Sequence, residues 1–333
     1  MTSRSCCSHA RFAASIALAA VLAIAGANTA AQEWRPEKPV EIVALNAPGG
    51  GSDRIARILV KVLQERRLVT VPIAIVNRPG GGGAVGYNYV NQRAGDGHVL
   101  ALGGRAILTN HIAGQGPSYA DLTPVTMLFD EYISVTVKPI SPIKSGAQLV
   151  EFMKRDPAAI TFGIATSLGN PNHQAVAAAF KAAGIELRKM KNVIFASGGA
   201  ASTAMLGGHI DVVPVSAAFA ASMVRNKQVR VIAVTAPQRL TGVLADVPTW
   251  REQGYDAVVS TWRCLIGPKG MTEGQIAFWE GVVRRVVESE DWKNELEVNF
   301  WNSAYMRSAE TRKYMAQDVI GVKSFLAELG LTR

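Results

Sequence analysis

The chain has 333 residues, 48% of them hydrophobic and 18% charged, a balance that suits a folded protein of about two domains and excludes a disordered one. Three cysteines are too few for a disulfide-built scaffold. The net charge of +9 comes from basic residues scattered no more densely than pairs such as Arg66-Arg67 and Arg284-Arg285, which argues for small anions and solubility and against a nucleic-acid track.

Residues 1–31 read as a secretory signal peptide. Arg4 and Arg11 supply a positive start, Phe12 to Ala25 an apolar stretch too short to span a bilayer comfortably, and Gly26 to Ala31 a small-residue cleavage region. Cleavage after Ala30 or Ala31 removes Cys6 and Cys7, neither placed as a lipid-attached cysteine would be. Cys264 then remains as the one thiol, so no internal disulfide is expected. No later stretch of about 18 apolar residues follows. The expectation is a soluble protein exported to the periplasm.

Val40 to Leu45 reads as a strand running into the irregular loop Asn46 to Asp53. Ile55, Ile58, Leu59, Val62 and Leu63 then mark one face of a helix, with Ser52 or Asp53 as its cap. The unit recurs: a strand at Ile73 to Val76, a glycine-rich loop at Asn77 to Gly83, and a helix from Ala84. Val99 to Leu102 is a strand ending at Gly103-Gly104-Arg105. Ser145 caps a helix carrying Leu149, Val150 and Met153 and closed by Asp156-Pro157. Ile160 to Ala165, the loop Thr166 to Asn172 and the helix Gln174 to Ala183 repeat the pattern, as do Val193 to Phe195, Ala196 to Gly199 and Ala200 to Leu206. Ile210 to Val215 and Val229 to Val234 are further strands. Strands alternating with helices predict α/β architecture with parallel-rich sheets covered on both faces.

Each of these loops joins the carboxyl end of a strand to the start of a helix, the edge where open α/β sheets bind ligands. Helix starts there present unpaired N–H groups and partial positive charge, which suits a carboxylate or phosphate. Glycine lets the backbone approach such an anion closely.

The enzyme motifs fail one by one. Gly81-x-Gly83-x-x-Gly86 matches the dinucleotide fingerprint formally, but Pro79 and four consecutive glycines distort the turn and no acid follows near position 101 to meet a ribose. Pro48 to Asp53 lacks the Gly-Lys-Ser/Thr of an NTPase phosphate loop, and H-E-x-x-H, C-x-x-C and G-x-S-x-G are absent. His98, His111, His173 and His209 lie far apart in sequence and read as surface or structural residues. Cys264 reads as a packed small hydrophobe, not as a nucleophile. No catalytic residue, cofactor or metal is expected.

From Trp34 onward the chain resembles the extracytoplasmic solute-binding receptors of tripartite tricarboxylate transporters, the Bug receptors. The resemblance rests on Trp34 to Pro39, Pro48 to Asp53, Val76 to Gly83, Ala94 to His98, Leu206 to Asp211, Ala245 to Thr249 and Ser260-Thr261-Trp262, each weak alone but strong in this order. It implies a two-domain, periplasmic-binding-protein-like Venus flytrap of type II. Residues 32–133 with 236–333 would form domain 1 and 134–235 domain 2, the crossings falling near Glu131–Ser134 and Thr235–Arg239. It also implies a monomer that catches a small carboxylate in the cleft and delivers it to membrane permease subunits, without nucleic acid. The carboxylate grip maps onto Asn46 to Asp53 and onto Thr166-Ser167.

Closing two domains round an anion removes its water, which is tolerable only if N–H and hydroxyl donors replace it. The expected ligand-binding set in the first domain is Asn46, Ala47, Gly49, Gly50, Gly51 and Asn77, with Asp53 as either helix cap or acceptor of a ligand ammonium or hydroxyl. Thr166, Ser167, Ser197 and Ser216 supply the second. Gly103-Gly104-Arg105 replaces the family's usual Ser/Thr-Gly-Ser/Thr, and Arg263 replaces a common aromatic. The planar fork of Arg105 is therefore expected to read a second acidic group of a dicarboxylate, with Gly104 beside it and Arg263 as the next candidate. Two rivals remain: a receptor presenting its solute to a membrane sensor, and an exported enzyme, which product accumulation would reveal.

Overall fold

The computed structural model describes residues 33–332; the expected signal peptide lies outside them. Contacts divide the chain into Met1–Arg35 and a compact unit, Pro36–Arg333, which carries all that follows. Among the described residues no helix is long and apolar enough to cross a membrane.

The unit is built on a ten-stranded mixed sheet. Its first part is parallel: β1 (Val40–Ala44) pairs β2 (Ile73–Asn77) on one side and β3 (Val99–Gly104) on the other. β1 feeds α1 (Gly51–Glu65), β2 feeds α2 (Ala84–Asn91) through a 3-10 turn at Gly81–Gly83, and β3 feeds α3 (Ala106–Ile112). The expected apolar face of α1 is the buried one, with Ile55, Leu59, Val62 and Leu63 at 3% exposure or less. The expected cap is different. The helix begins at Gly51 behind Gly50, which caps with no side chain, so Ser52 and Asp53 lie inside the first turn.

The second part repeats this design. β5 (Thr161–Ala165) pairs in parallel with β6 (Lys191–Phe195) and β7 (Val212–Ser216). A helix α4 (Gly146–Arg155) precedes them, capped by Ser145 as expected. α5 (Pro171–Ala182), α6 (Gly198–Leu206) and α7 (Ala217–Arg225) follow β5, β6 and β7 in turn. β8 (Arg230–Val234) closes this part.

The 15-residue strand β4 (Thr123–Val137) joins the halves. Through Tyr132 it pairs antiparallel with β9 (Ser260–Gly267) and β10 (Trp301–Arg307); from Ile133 it pairs with β7 and β8. The helices α8 (Glu273–Val287), α9 (Glu290–Val298) and α10 (Ser308–Glu328) complete the chain. The parallel pairing expected from the sequence thus holds in the two outer parts, while the centre is antiparallel.

The cores divide the same way, with one shift from expectation. Leu326, Trp262 and Val43 belong to a core around β1, β3 and β9. Residues 236–257, expected with the first domain, pack against the second part. Trp250 and Ala257 join Leu149, Phe162 and Phe180, and Ala236 and Leu244 join Val215 and Ala220. A buried Trp250 indole N–H donates to the Ala175 carbonyl at 3.0 Å and anchors the segment there. Where the passes meet, Thr235 is fully buried; its hydroxyl accepts from the Ile133 N–H at 3.0 Å and donates to the Val259 carbonyl at 2.5 Å.

Candidate functional site

After β1 the chain turns so tightly that Gly49 takes φ +79, a conformation that disfavours any side chain. The turn is held from within. Asn46 Oδ1 accepts from the Ser52 N–H at 3.0 Å, which satisfies one orphan donor of α1. Asp53 accepts from the Gly49 N–H at 2.9 Å, from Asn77 Nδ2 at 3.0 Å, and from both Nε and Nη2 of Arg57 at 2.9 and 3.0 Å. Burial pushes the Asp53 carboxyl up, but the donors Arg57, Gly49 and Asn77 together outweigh it and hold its pKa below the usual value. The Gly50 N–H donates to the Ala47 carbonyl at 2.9 Å. Of the three glycine amides expected to face a ligand, that of Gly51 alone bonds none of the described residues.

The second half supplies its own helix starts. Asn170 caps α5, accepting from the His173 N–H at 3.0 Å, and its amide donates to the Ala165 carbonyl and to Thr166 Oγ1 at 3.1 Å. Thr166 sits at φ +65, a left-handed conformation strained for a β-branched residue. His173 Nδ1 accepts from the Gly169 N–H at 2.9 Å, and burial pulls the ring down to about 4, so it supports the loop as a neutral acceptor. Ser197 Oγ caps α6 at 3.1 Å from Ala200 N, and Ser216 Oγ caps α7 at 3.4 Å from Phe219 N.

These starts surround one cavity of about 140 Å³, sized for a small metabolite and below the drug-sized range. α1, α5, α6 and α7, of 15, 12, 9 and 9 residues, all begin at its wall. Each contributes roughly half a positive charge, and the amides of Gly51, Asn172, Gly198, Gly199 and Ala218 lie in first turns at the lining.

From the expected set, Asn46, Gly49, Gly50, Gly51 and Gly104 line the cavity from the first half. Thr166, Ser197, Ser216 and Arg263 do so from elsewhere in the chain. Ala47, Asp53, Asn77, Arg105 and Ser167 do not line it. Ala47 and Asn77 brace the first loop, the latter donating to the Asn46 carbonyl at 2.9 Å. Ser167 is 7% exposed and packs against Gly82. Arg105 is the clearest departure: Nε and Nη2 grip Asp318 at 2.8 Å each and Nη1 donates to Gln174 at 2.6 Å. Its fork already holds a carboxylate of this chain, because α10 brings Asp318 beside β3, so it is not placed to read a ligand.

Two charged residues at the cavity escape sequence reasoning. Arg54 follows directly on the anion loop, one helical turn from the free Gly51 amide, and its guanidinium donates to Asn299. Burial lowers its pKa, an effect that Glu131 and Glu295 offset in part. Glu131, 3% exposed, interrupts the apolar run of β4 where that strand changes partners. Its Oε1 accepts from Arg263 Nε at 2.9 Å and from Nη2. Gly104 makes room for this arginine: a Cβ there would stand 2.8 Å from Nη1. Cys264 is fully buried, burial pushes its thiol up, and it packs in the core as expected. Among the described residues no His, Cys, Asp and Glu cluster could hold a metal ion.

A two-part α/β body with helix starts and arginines around a small cavity is the architecture of a periplasmic-type solute-binding protein. The chain belongs to the tripartite tricarboxylate transporter receptor family, whose model matches residues 55–331. It is similar to the protein BugT of Bordetella pertussis, with 27% identity over 77% of this chain and 76% of that protein. Among solved structures, the periplasmic binding protein BugD superposes with a TM-score of 0.81 at 20% identity, covering 89% of this chain and 99% of its own. An R. palustris protein with adipate matches equally, with a TM-score of 0.81, 20% identity and coverage of 89% and 99%. The family is one of transporter receptors and BugD is a periplasmic binding protein, which makes this a solute-binding protein and not an enzyme.

Proposed function

We propose that the protein is a periplasmic receptor that captures a small carboxylate in this cavity and delivers it to the membrane subunits of a tripartite tricarboxylate-type permease. One observation carries the reading: four helix N-termini and two arginines converge on one cavity, an arrangement suited to an anion. The adipate bound by a structural neighbour is in keeping with it. The domain division belongs to the same proposal: the chain crosses between domains at Tyr132–Ile133 and returns at Val259–Ser260, and the domains close on the ligand.

A thermal-shift screen of mono-, di- and tricarboxylates, amino acids and aromatic acids tests it. A ligand at 100 Kd raises stability by about 2.7 kcal/mol, without turnover. Failure of every carboxylate to raise the melting temperature, or accumulation of a product, overturns the reading.

A further inference from the structure

Three charged side chains line the cavity: Arg54, Arg263 and Glu131. An anion site has an obvious use for the arginines. The carboxylate is the anomaly, since it repels the charge that the helix starts attract.

Its surroundings show what it offers. Arg263 directs both Nε and Nη2 onto Oε1; Oε2 accepts no hydrogen bond from the described residues. A carboxylate has room for about four hydrogen bonds, so a wall residue with only 3% exposure retains an unused acceptor. On the same arginine, Nη1 bonds none of the described residues and lies against Gly104, 2.8 Å from where a Cβ there would stand. The wall therefore presents an acceptor and a donor side by side. Asp53, the acid first expected to meet a ligand ammonium or hydroxyl, is fully occupied by Arg57, Asn77 and Gly49.

Charge narrows the choice. Two arginines and one glutamate leave +1 on the wall. The helix starts add their partial positive charges to this, but at Glu131 itself the constraint is local: a second, unsubstituted carboxylate beside it meets a like charge, and like charges in a closed, poorly solvated site are costly. A hydroxyl or ammonium on the ligand instead completes Oε2. We propose that Glu131 is a specificity-determining residue, and that the solute carries, beside the carboxylate held at the helix starts, a hydroxyl or ammonium that donates to Glu131. This rests on the receptor reading above. A site built to bond such a donor rejects the analogue lacking it, because its own polar group is then left unpaired.

Calorimetry with two matched sets tests this: butanoate, 2-hydroxybutanoate and 2-aminobutanoate, then succinate, malate and aspartate. The wild-type protein should bind a donor-bearing acid of one set at least tenfold tighter than its unsubstituted parent. The hydroxy and amino members distinguish a neutral from a cationic donor. Glu131→Gln leaves its one carbonyl oxygen on Arg263 and turns an amide NH2 toward the ligand; a hydroxyl can accept from that group but an ammonium cannot, so the aspartate-to-succinate affinity ratio should fall at least tenfold while a hydroxy-acid preference persists. Unsubstituted acids binding as tightly as their substituted partners in the wild type would overturn the proposal and leave the receptor reading standing, and that comparison needs no variant. Where the wild type favours the amino acids, an unchanged ratio in a Glu131→Gln protein with native melting behaviour also overturns it. If none of the six acids binds but other carboxylates do, the donor proposal falls alone; if no carboxylate binds at all, the receptor reading falls with it.

Discussion

Gly50 and Gly51 are adjacent, both line the cavity, and have opposite surroundings. A Cβ on Gly50 would stand 2.5 Å from the Asn46 Cβ and 2.9 Å from the Ala47 carbonyl, so a side chain there breaks the loop before it meets any ligand. A Cβ on Gly51 meets nothing nearer than Asn46 Oδ1 at 4.0 Å. Gly51→Val should therefore weaken carboxylate binding at least tenfold, about 1.4 kcal/mol, with little change in melting temperature, whereas Gly50→Val should lower the melting temperature itself. Calorimetry beside a thermal melt separates the two, and undiminished affinity in Gly51→Val would remove this helix start from the site. His173 makes a residue-scale prediction about pH. Its folded pKa, about 4, lies below the ordinary 6.5. The unfolded chain therefore takes up the proton first, and the stability due to the neutral ring is complete above about pH 6.5 and lost as pH falls toward 4. The full span is worth about 3 kcal/mol. His173→Gln should flatten the melting-temperature profile over that window; an equally steep profile would place the acid sensitivity elsewhere.

At the scale of one element, α1 shows how a helix start becomes a binding surface. Asn46 takes the Ser52 amide and the Gly50 carbonyl takes that of Arg54, while Asp53 holds the preceding turn through the Gly49 N–H; the Gly51 amide at the cavity bonds none of the described residues. Asp53→Asn removes the ion pair with Arg57 and disturbs the Gly49 and Asn77 bonds together. Loss of a charged, buried hydrogen-bonding group of this kind costs about 1–3 kcal/mol. The depressed pKa gives the loss its pH dependence: the contribution is present above the ordinary carboxylate range and disappears as pH falls through the lowered folded value. The variant should melt lower at pH 7, bind carboxylates more weakly, and lose its disadvantage in stability at strongly acid pH. Wild-type melting and affinity at pH 7 would show that the loop holds its shape without Asp53.

Across the whole molecule, Arg105 changes role. Conserving its charge for a ligand would require a free fork, but Asp318 of α10 takes two of its donors, Gln174 of α5 a third, and the Trp262 indole donates to the same Asp318 at 2.8 Å. The cluster ties β3, β9 and α10 to a helix of the other half. Arg105→Ala leaves Asp318, 16% exposed, with the Trp262 indole but without its cation, and breaking such a pair costs about 3 kcal/mol. Because the effect reaches the cavity only through the arrangement of the halves, mono- and dicarboxylates of similar shape should weaken by the same factor. A loss confined to dicarboxylates in paired titrations would restore Arg105 as a direct reader of the ligand.

Local patterning made much of this protein legible in its sequence. The repeat of strand, glycine- or serine-bearing loop and helix is written in periodicities spanning a few residues, so β1, α1, β5, α5 and their kin are readable one at a time. The preference for an anion follows from the same units, since any helix start carries unpaired N–H groups. What tertiary structure alone decided is which of those groups remain available. Asn77 reaches Asn46 and Asp53 across 31 and 24 positions and fixes the turn in which Asp53 takes the Gly49 amide and the Ala47 carbonyl that of Gly50. Glu131 and Arg263 meet across 132 positions because β4 and β9 are antiparallel neighbours. Arg105 finds Asp318 across 213 positions. Hydrogen-bond donors and charges have a fixed number of partners, and in a closed fold distant segments compete for them. Sequence names the groups able to bind a ligand; only packing settles which are left to do so.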